Sequence, residues 1–237
     1  MDGLYDAEVA AQDAQLGQFF ETLRQNGALD QTLLMIVADH GEYLGERRRV
    51  NHLYGAYQEL VHVPLIIRDP LQKLPPGETV DSFVSIRRLF HTALAVAGAS
   101  THDEAKLSLA RGDLDSNTDM PEYNMAFVEA IPPAWAVKYL QDRPGLLQET
   151  GYTQLVKAIY SESHKLIATG EEKVELYKVH SDEKEQNDLH TIMPKRTSDM
   201  KSMLLDFSRS SHFTATKAPK QEDPAVMRRL RDLGYLE

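Results

Sequence analysis

One continuous apolar segment, followed at once by an acidic residue and a histidine, constrains the fold of this chain more than any other feature. Residues 32–38 read Thr-Leu-Leu-Met-Ile-Val-Ala, and Asp39, His40 and Gly41 follow directly. A short run that is apolar throughout is typical of a strand covered on both faces, as in a parallel sheet flanked by helices. The segment therefore predicts an α/β fold with Asp39 and His40 at the carboxyl end of a strand, where such sheets bind ligands.

The segments around this strand complete a predicted first domain, residues 1–98. Residues 4–25 space their apolar side chains as an amphipathic helix, which we expect to pack over the strand. Residues 61–67 predict a second strand, and Pro64 places it near a sheet edge. Residues 81–98 predict a further helix that closes the domain.

The remainder, residues 99–237, predicts a polar linker and a small subdomain with an antiparallel sheet and terminal helices. The three predicted strands are residues 155–160, 164–168 and 174–179. The two predicted helices are residues 197–209 and 223–234, the second opening at Asp223-Pro224, an N-cap followed by proline. The sequence thus predicts two structural domains that differ in their strand arrangement.

The acidic charge and the lack of cysteine exclude several classes of function. The formal net charge is −10 and the pI is near 5.4, which argues against a surface for nucleic acid or anionic membrane. Without cysteine, disulfides, thiolate metal sites and cysteine nucleophiles are excluded within this chain. No apolar run approaches the roughly 18 residues of a membrane span, and Met1 does not open a signal peptide. We expect a soluble protein, whose location is unknown.

Asp39 and His40 can share one metal ion only if the chain bends at this point, which Gly41 permits. The alternative interpretation is structural, with Asp39 capping the next turn and His40 forming a local hydrogen bond. The dipeptide by itself leaves both interpretations open.

Further strings extend this pattern in a fixed order. They are Asp39-His40-Gly41-Glu42 with Leu44-Gly45-Glu46, then Asn51-His52, then Tyr57-Gln58-Glu59-Leu60 running into Val63-Pro64-Leu65-Ile66-Ile67. In this order and spacing they resemble the sulfatase family of the alkaline-phosphatase superfamily. Residues 5–17, 164–167, 175–177, 187–189 and 233–235 extend the resemblance over most of the chain.

The resemblance implies an alkaline-phosphatase-like, mostly parallel sheet and a hydrolase of sulfuric esters. It implies that Asp39 and His40 are ligands of a divalent metal, usually calcium, with manganese, magnesium or zinc as alternatives. His52 then contacts the sulfate or the bridging oxygen of the leaving group. The expected substrate is a small anionic ester. Without these strings, His52 would be interpreted as a solvated loop histidine.

Other residues near these strings have structural interpretations. Glu42 and Glu46 are expected to fix the loop by accepting hydrogen bonds, and His62 is expected to be structural. Leu53 replaces a glycine that is common after the histidine. Arg87 and His91 stand where relatives carry aspartate and proline, so the local geometry of that helix is expected to differ.

Arg47-Arg48-Arg49 is the most marked departure from the family, because relatives have His-Gly-Leu or a similar string there. Three arginines beside a sulfate site could attract anionic substrates. The alternative, which the sequence favours, is a solvated loop.

In the family, the nucleophile is a formylglycine made from the cysteine or serine of a C/S-x-P/A-x-R string. This sequence contains no such string. Two further aspartate ligands, which lie upstream in the family, are also absent. The expectation is that the chain corresponds to the C-terminal portion, as a fragment, a truncated reading frame or one piece of a split protein, with the upstream portion as a partner. Two alternatives remain: a phosphonate or phosphate ester hydrolase of the same superfamily, and a non-catalytic relic or binding domain.

Overall fold

A computed structural model describes residues 2–52, 54–70, 77, 79–101, 105–109, 122–132, 134–141, 154–210 and 228 of the chain. The chain divides into two compact units, residues 1–204 and 205–237. The first unit contains all of the strands described below. The described part of the second unit is the end of a helix, residues 205–210, and the helical residue Arg228. The domain boundary near residue 98 stays a prediction.

The first half of the chain alternates helices with short strands. Its elements are α1 (Asp2–Gln25), a 3₁₀ turn (Leu29–Gln31), β1 (Leu34–Val37), β2 (Tyr43–Leu44), a second 3₁₀ turn (Glu46–Arg48), β3 (Val50–Asn51), α2 (Gln58–Val61), β4 (Leu65–Arg68) and α3 (Arg88–Val96).

The second half is built around one sheet. Its elements are β5 (Met125–Ala130), α4 (Ala134–Gln141), β6 (Val156–Ser161), β7 (His164–Thr169), β8 (Lys173–Tyr177) and α5 (Pro194–Ser210). None of the helices in the described ranges combines the length and apolar composition that a bilayer crossing requires.

Strand β1 confirms the predicted strand before Asp39, and its described partner is the antiparallel strand β4. The prediction that β1 is covered on both faces is wrong for the described chain, because its residues are half-buried and Val37 is exposed. On β4, Ile66 is 60% exposed. The apolar run correctly indicated the strand, but the described residues do not cover both of its faces.

Helix α1 matches the predicted helix in extent but does not bury its apolar side chains. Leu4 is 78% exposed, and Tyr5, Val9 and Phe19 are also exposed. The expectation that this helix packs its apolar face over β1 is therefore wrong within the described chain. The apolar spacing identified the helix, but the described residues do not cover its apolar side chains.

Two other predicted elements begin later than expected. The second strand was predicted from residue 61, but residues 58–61 form α2 and the strand starts at Leu65, directly after Pro64. Proline lacks the amide hydrogen that a ladder needs, which places it before the strand. The helix predicted for residues 81–98 corresponds to α3. It starts only at Arg88, because Val84 forms a parallel bridge with Met125.

Strands β5–β8 form a four-stranded antiparallel sheet in sequence order, which confirms the predicted small sheet and adds β5 to it. Ile159 lies opposite Leu166, and Leu166 lies opposite Leu176. These three side chains are fully buried against Met200 and Leu204 of α5. Since successive side chains of a strand point to opposite faces, the other face has a core of its own.

The second core includes residues from the loop between β3 and α2. Tyr54 and Ala56 pack against Ala158, Tyr160 and Ile167. The loop that follows His52 is thereby packed on the C-terminal sheet. The predicted helix at 223–234 lies outside the described residues, apart from Arg228, which is helical.

Candidate active site

Asp39 and His40 follow β1 directly, and each uses one side-chain atom to fix local geometry. The backbone N–H of His40 donates to Asp39 Oδ1 at 3.0 Å, and His40 Nδ1 lies 3.0 Å from the carbonyl oxygen of Gly41. Because a carbonyl can only accept, Nδ1 is the donor, and in the neutral imidazole the lone pair is then on Nε2. The other two side-chain atoms, Asp39 Oδ2 and His40 Nε2, are those a metal would use.

Gly41 is required by a close backbone approach. Its N–H donates to the carbonyl of Leu60 at 2.8 Å, and a Cβ at this position would lie 2.0 Å from the carbonyl oxygen of Glu59. Any other residue would force one of the two segments to move. The end of β1 is thus held against α2, which fixes the direction in which Asp39 and His40 project.

His52 reaches the same place from the β2–β3 hairpin. Its backbone N–H donates to Asn51 Oδ1 at 2.7 Å, and its Nδ1 lies 3.1 Å from Glu42 Oε2. The imidazole rings of His40 and His52 stack, with ring centroids 4.4 Å apart and an interplanar angle of 27°. The structure therefore brings the three sequence-predicted site residues, Asp39, His40 and His52, together.

The free atoms of Asp39 and His40 are spaced for one shared ion. Asp39 Oδ2 and His40 Nε2 lie 3.7 Å apart, so a cation at roughly 2.0–2.6 Å from each atom would fit between them. Both side chains are open to solvent. Over the described ranges, no group of three or more His, Asp and Glu side chains forms a complete metal site. The arrangement supplies two ligands, fewer than any common divalent ion needs.

The two glutamates of the loop act as the sequence predicted. Glu46 Oε2 accepts the backbone N–H of Leu44 at 2.7 Å, and Glu42 accepts from the His52 ring. His62, in contrast, has an exposed side chain just beyond α2. The two carboxylates therefore hold the hairpin and the orientation of His52.

The triple arginine is not a solvated loop, and that prediction is wrong for Arg47 and Arg49. Arg47 is 21% exposed and lies 3.4 Å from Glu59 Oε2 and 3.3 Å from Glu185 Oε2. Arg49 donates to the carbonyl of Tyr54 at 3.1 Å. Arg48 alone of the three is exposed. No sequence signal indicated this, because Glu185 lies 138 residues away from Arg47.

A buried ion pair under this loop was also missed. Lys165 Nζ lies 2.6 Å from Glu185 Oε1, and both side chains are fully buried. Burial lowers the pKa of Lys165 to about 8, although the neighbouring Glu185 opposes this shift. In the sequence, Lys165 belonged to a predicted strand and Glu185 to no predicted element, and neither had a signal of burial.

Asp39, His40, Arg47 and His52 line a cleft of about 2180 Å³ that also runs along β4 and β5. Pockets for small molecules are usually about 300–1,000 Å³. The cleft is therefore too large to be a small-molecule pocket by itself.

A comparison with known families identifies the proteins that this segment resembles. The sulfatase family model matches residues 1–99, the segment that contains α1, β1–β4 and the Asp39, His40 and His52 cluster. Over this segment the chain is similar to sulfatases. The α/β class and the predicted alkaline-phosphatase-like fold are confirmed by the solved structures that the chain resembles.

Individual sulfatases match different lengths of the chain. Arylsulfatase K of Xenopus laevis is 33% identical over 94 residues, which are 40% of this chain and 17% of that protein. The endo-4-O-sulfatase of Bacteroides thetaiotaomicron is 23% identical over 233 residues, 98% of this chain and 40% of that protein. The chain therefore spans less than half of the relatives it matches.

A solved structure shows the same fold over most of the chain. The phosphonate monoester hydrolase of Agrobacterium radiobacter superposes with a TM-score of 0.65 at 22% identity, covering 92% of this chain and 42% of that one. The likeness thus extends past the sulfatase-matched residues into the C-terminal sheet.

Proposed function

We propose that this chain supplies the metal-binding and leaving-group-binding part of a site that hydrolyses sulfuric esters. The observation that carries the proposal is the stacking of His52 on His40 beside Asp39, at the end of β1. The match of residues 1–99 to the sulfatase family model supports the reaction class. The substrate is proposed to be a small anionic ester.

In this proposal, Asp39 and His40 bind a divalent metal through Oδ2 and Nε2. The metal, calcium by family resemblance, supplies positive charge to a sulfate oxygen when bound. The His40 tautomer is fixed by the Gly41 carbonyl, an outer contact of the kind that orients metal-binding histidines. The remaining ligands would come from water and from groups outside the described residues.

His52 is proposed to contact the sulfate or the bridging oxygen of the leaving group. With its Nδ1–H donated to Glu42, the ring in its doubly protonated form presents a second N–H at Nε2, which can donate a hydrogen bond or the proton to that oxygen as the ester bond breaks. The side chain is half exposed, so an ester can reach it. The distance of 4.4 Å between the His40 and His52 ring centroids supports a position for this donor beside the proposed metal.

The nucleophile and the missing ligands are proposed to come from a further polypeptide portion. The chain contains no cysteine and no serine in the family's nucleophile string. The exposed apolar residues of α1 and β4 and the size of the cleft support a polypeptide as the missing cover. We propose that this portion corresponds to the upstream part of a sulfatase and carries a formylglycine.

A second reaction, hydrolysis of phosphonate or phosphate esters, is favoured by one feature of the site. His40 offers nitrogen to the metal, and imidazole suits manganese or zinc better than calcium, which prefers oxygen. A match to the multifunctional alkaline phosphatase superfamily protein PehA of Trinickia caryophylli, 30% identical over 101 residues, supports this alternative.

The test extends the chain with the coding sequence that precedes residue 1, read in frame for a cysteine or serine nucleophile string. The extended protein is assayed on an aryl sulfate and a phosphonate ester with calcium or manganese, alongside the 237-residue chain. We expect turnover of the aryl sulfate only by the extended protein, and loss of turnover in Asp39→Ala. An extended protein that keeps its turnover in Asp39→Ala, or hydrolyses neither ester, contradicts the proposal and favours the relic domain.

A further inference from the structure

Arg47 stands at the opposite end of the β2–β3 hairpin from the site. The hairpin pairs Tyr43 with Asn51 and Leu44 with Val50. Its open end carries Glu42 and His52, whose side chains contact each other, whereas its turn contains Arg47. A contact that fixes the turn therefore also fixes where the open end lies.

The turn has a backbone conformation that needs support. Arg47 has a φ of 53° and Arg48 has a φ of 58°. Side chains other than glycine rarely adopt this left-handed region, and such residues persist only where surrounding contacts compensate. The hairpin turn is thus held by more than its own backbone.

Arg47 makes those compensating contacts. Its guanidinium group donates to the carbonyl of Lys184 at 2.7 Å and lies 3.7 Å from the centroid of the Tyr57 ring. It also pairs with Glu59 and Glu185. The planar group of an arginine can make several such contacts at once, which lysine cannot reproduce.

Glu185 connects this guanidinium to the C-terminal sheet. One carboxylate oxygen lies 2.6 Å from Lys165 Nζ of β7, and the other accepts the backbone N–H of Gln58 at 2.9 Å and contacts Arg47. Glu185 is fully buried, so its charge is stabilised by these neighbours rather than by water. The turn of the hairpin, the start of α2 and β7 therefore meet at one carboxylate.

We propose that Arg47, Glu59, Glu185 and Lys165 form a partly buried clamp in which Arg47 is a positioning residue that holds His52 against His40. The inference rests on the proposed function only in regarding the two histidines as site residues. Arg47 lines the same cleft as the site, but its guanidinium is engaged by two carboxylates, so its proposed role is to hold the hairpin rather than to bind the substrate.

The test measures the contact between the two imidazole rings in the 237-residue chain by NMR with labelled histidine. Arg47→Gln is compared with Arg48→Gln, which changes the neighbouring exposed arginine and is a matched control. We expect Arg47→Gln to lose the cross-peak between the His40 and His52 ring protons while amide protection in β6–β8 is retained. Arg48→Gln should keep both the cross-peak and the amide protection, and Arg47→Lys should keep a weakened cross-peak.

An unchanged cross-peak in Arg47→Gln, or equal loss in Arg48→Gln, overturns the proposal. If Arg47→Gln also loses protection in β6–β8, then Glu59→Gln decides, since it removes only one partner of Arg47. We expect Glu59→Gln to weaken the cross-peak with the sheet intact, and no change in that variant overturns the clamp. The measurement needs no turnover. The clamp can therefore fail while the proposed hydrolysis stands, and the proposed hydrolysis can fail while the clamp stands.

Discussion

The imidazole rings of His40 and His52, twelve residues apart in the chain, lie stacked with their centroids 4.4 Å apart. His40 is placed by the end of β1, and His52 by the β2–β3 hairpin. The stack therefore depends on how the hairpin lies against the strand. It is the local feature through which the geometry of the site can be measured in solution.

A first prediction concerns this stack. Replacing His52 with alanine removes the ring that shields the His40 imidazole protons, so their NMR resonances should move toward those of a solvated histidine. His62→Ala, which removes an exposed histidine outside the stack, is the control and should leave His40 unchanged. Identical His40 resonances in wild type and His52→Ala would show that the rings do not stack in solution.

A second prediction concerns Gly41. In Gly41→Ala, the new Cβ would meet the carbonyl oxygen of Glu59 at 2.0 Å, so the backbone must shift and the free energy of unfolding should fall by about 1–3 kcal/mol. Gly17→Ala is the control, because nothing lies within 4 Å of a Cβ there. That exchange, within helix α1, should be neutral or stabilise by up to about 1 kcal/mol. Urea denaturation measures both, and equal effects would be inconsistent with the close approach.

A third prediction concerns the buried ion pair. Lys165→Met leaves the carboxylate of Glu185 buried without its nearest cation, and breaking a buried pair in this way costs about 3–5 kcal/mol. Lys201→Met removes an exposed lysine of α5 and should change the free energy of unfolding by less than about 0.5 kcal/mol. A loss below about 1 kcal/mol in Lys165→Met would mean that the pair is open to water.

A fourth prediction concerns acid stability. Burial raises the pKa of Asp188, but hydrogen bonds from the N–H groups of Leu176 and His190 and from the His190 ring outweigh it, so the pKa is lowered. A lowered pKa stabilises the folded state above the ordinary carboxyl pKa of about 3.9. This stabilisation is lost as the pH falls from there through the lowered pKa.

The variant Asp188→Asn should therefore be less stable than wild type near neutral pH and approach it at acid pH. Asp199→Asn, which alters an exposed aspartate of α5, is the control and should follow the wild-type curve. The measurement is the midpoint of thermal unfolding between about pH 2 and 7. A difference in midpoint between Asp188→Asn and wild type that does not change with pH would exclude a contribution of Asp188 ionisation to stability.

The sequence was sufficient for the elements whose pattern is local. Strands β6, β7 and β8 were predicted nearly at their observed bounds, since their apolar segments are separated by clear turns. Strand β5 was missed because Met125–Ala130 mixes helix-forming residues into a short run. The apolar spacing of α1 predicted the extent of the helix, but not that its apolar side chains are exposed in the described chain.

In the candidate site too, the sequence predicted residues that follow a local pattern and missed contacts between distant residues. Asp39 and His40 could be predicted at the end of a strand, and His52 only through the family resemblance, because no periodic pattern relates it to them. The inward orientation of Arg47 could not be predicted, because its partners Glu59 and Glu185 come together only in the folded chain. A run of like charges indicates solvent exposure only when no distant carboxylate is available.

The central claim, that Asp39 and His40 bind a divalent metal next to His52, is tested most directly by paramagnetic broadening with Mn²⁺ on the 237-residue chain. Complete protein sites with about six to eight ligands can bind calcium as weakly as about 10⁻³ M, so two ligands should bind more weakly still and saturate only above that concentration. We predict that Mn²⁺ in this range broadens the resonances of Asp39, His40 and His52 first, and that Asp39→Asn abolishes the selectivity. Broadening that starts at other residues, or is unchanged in Asp39→Asn, would contradict the claim.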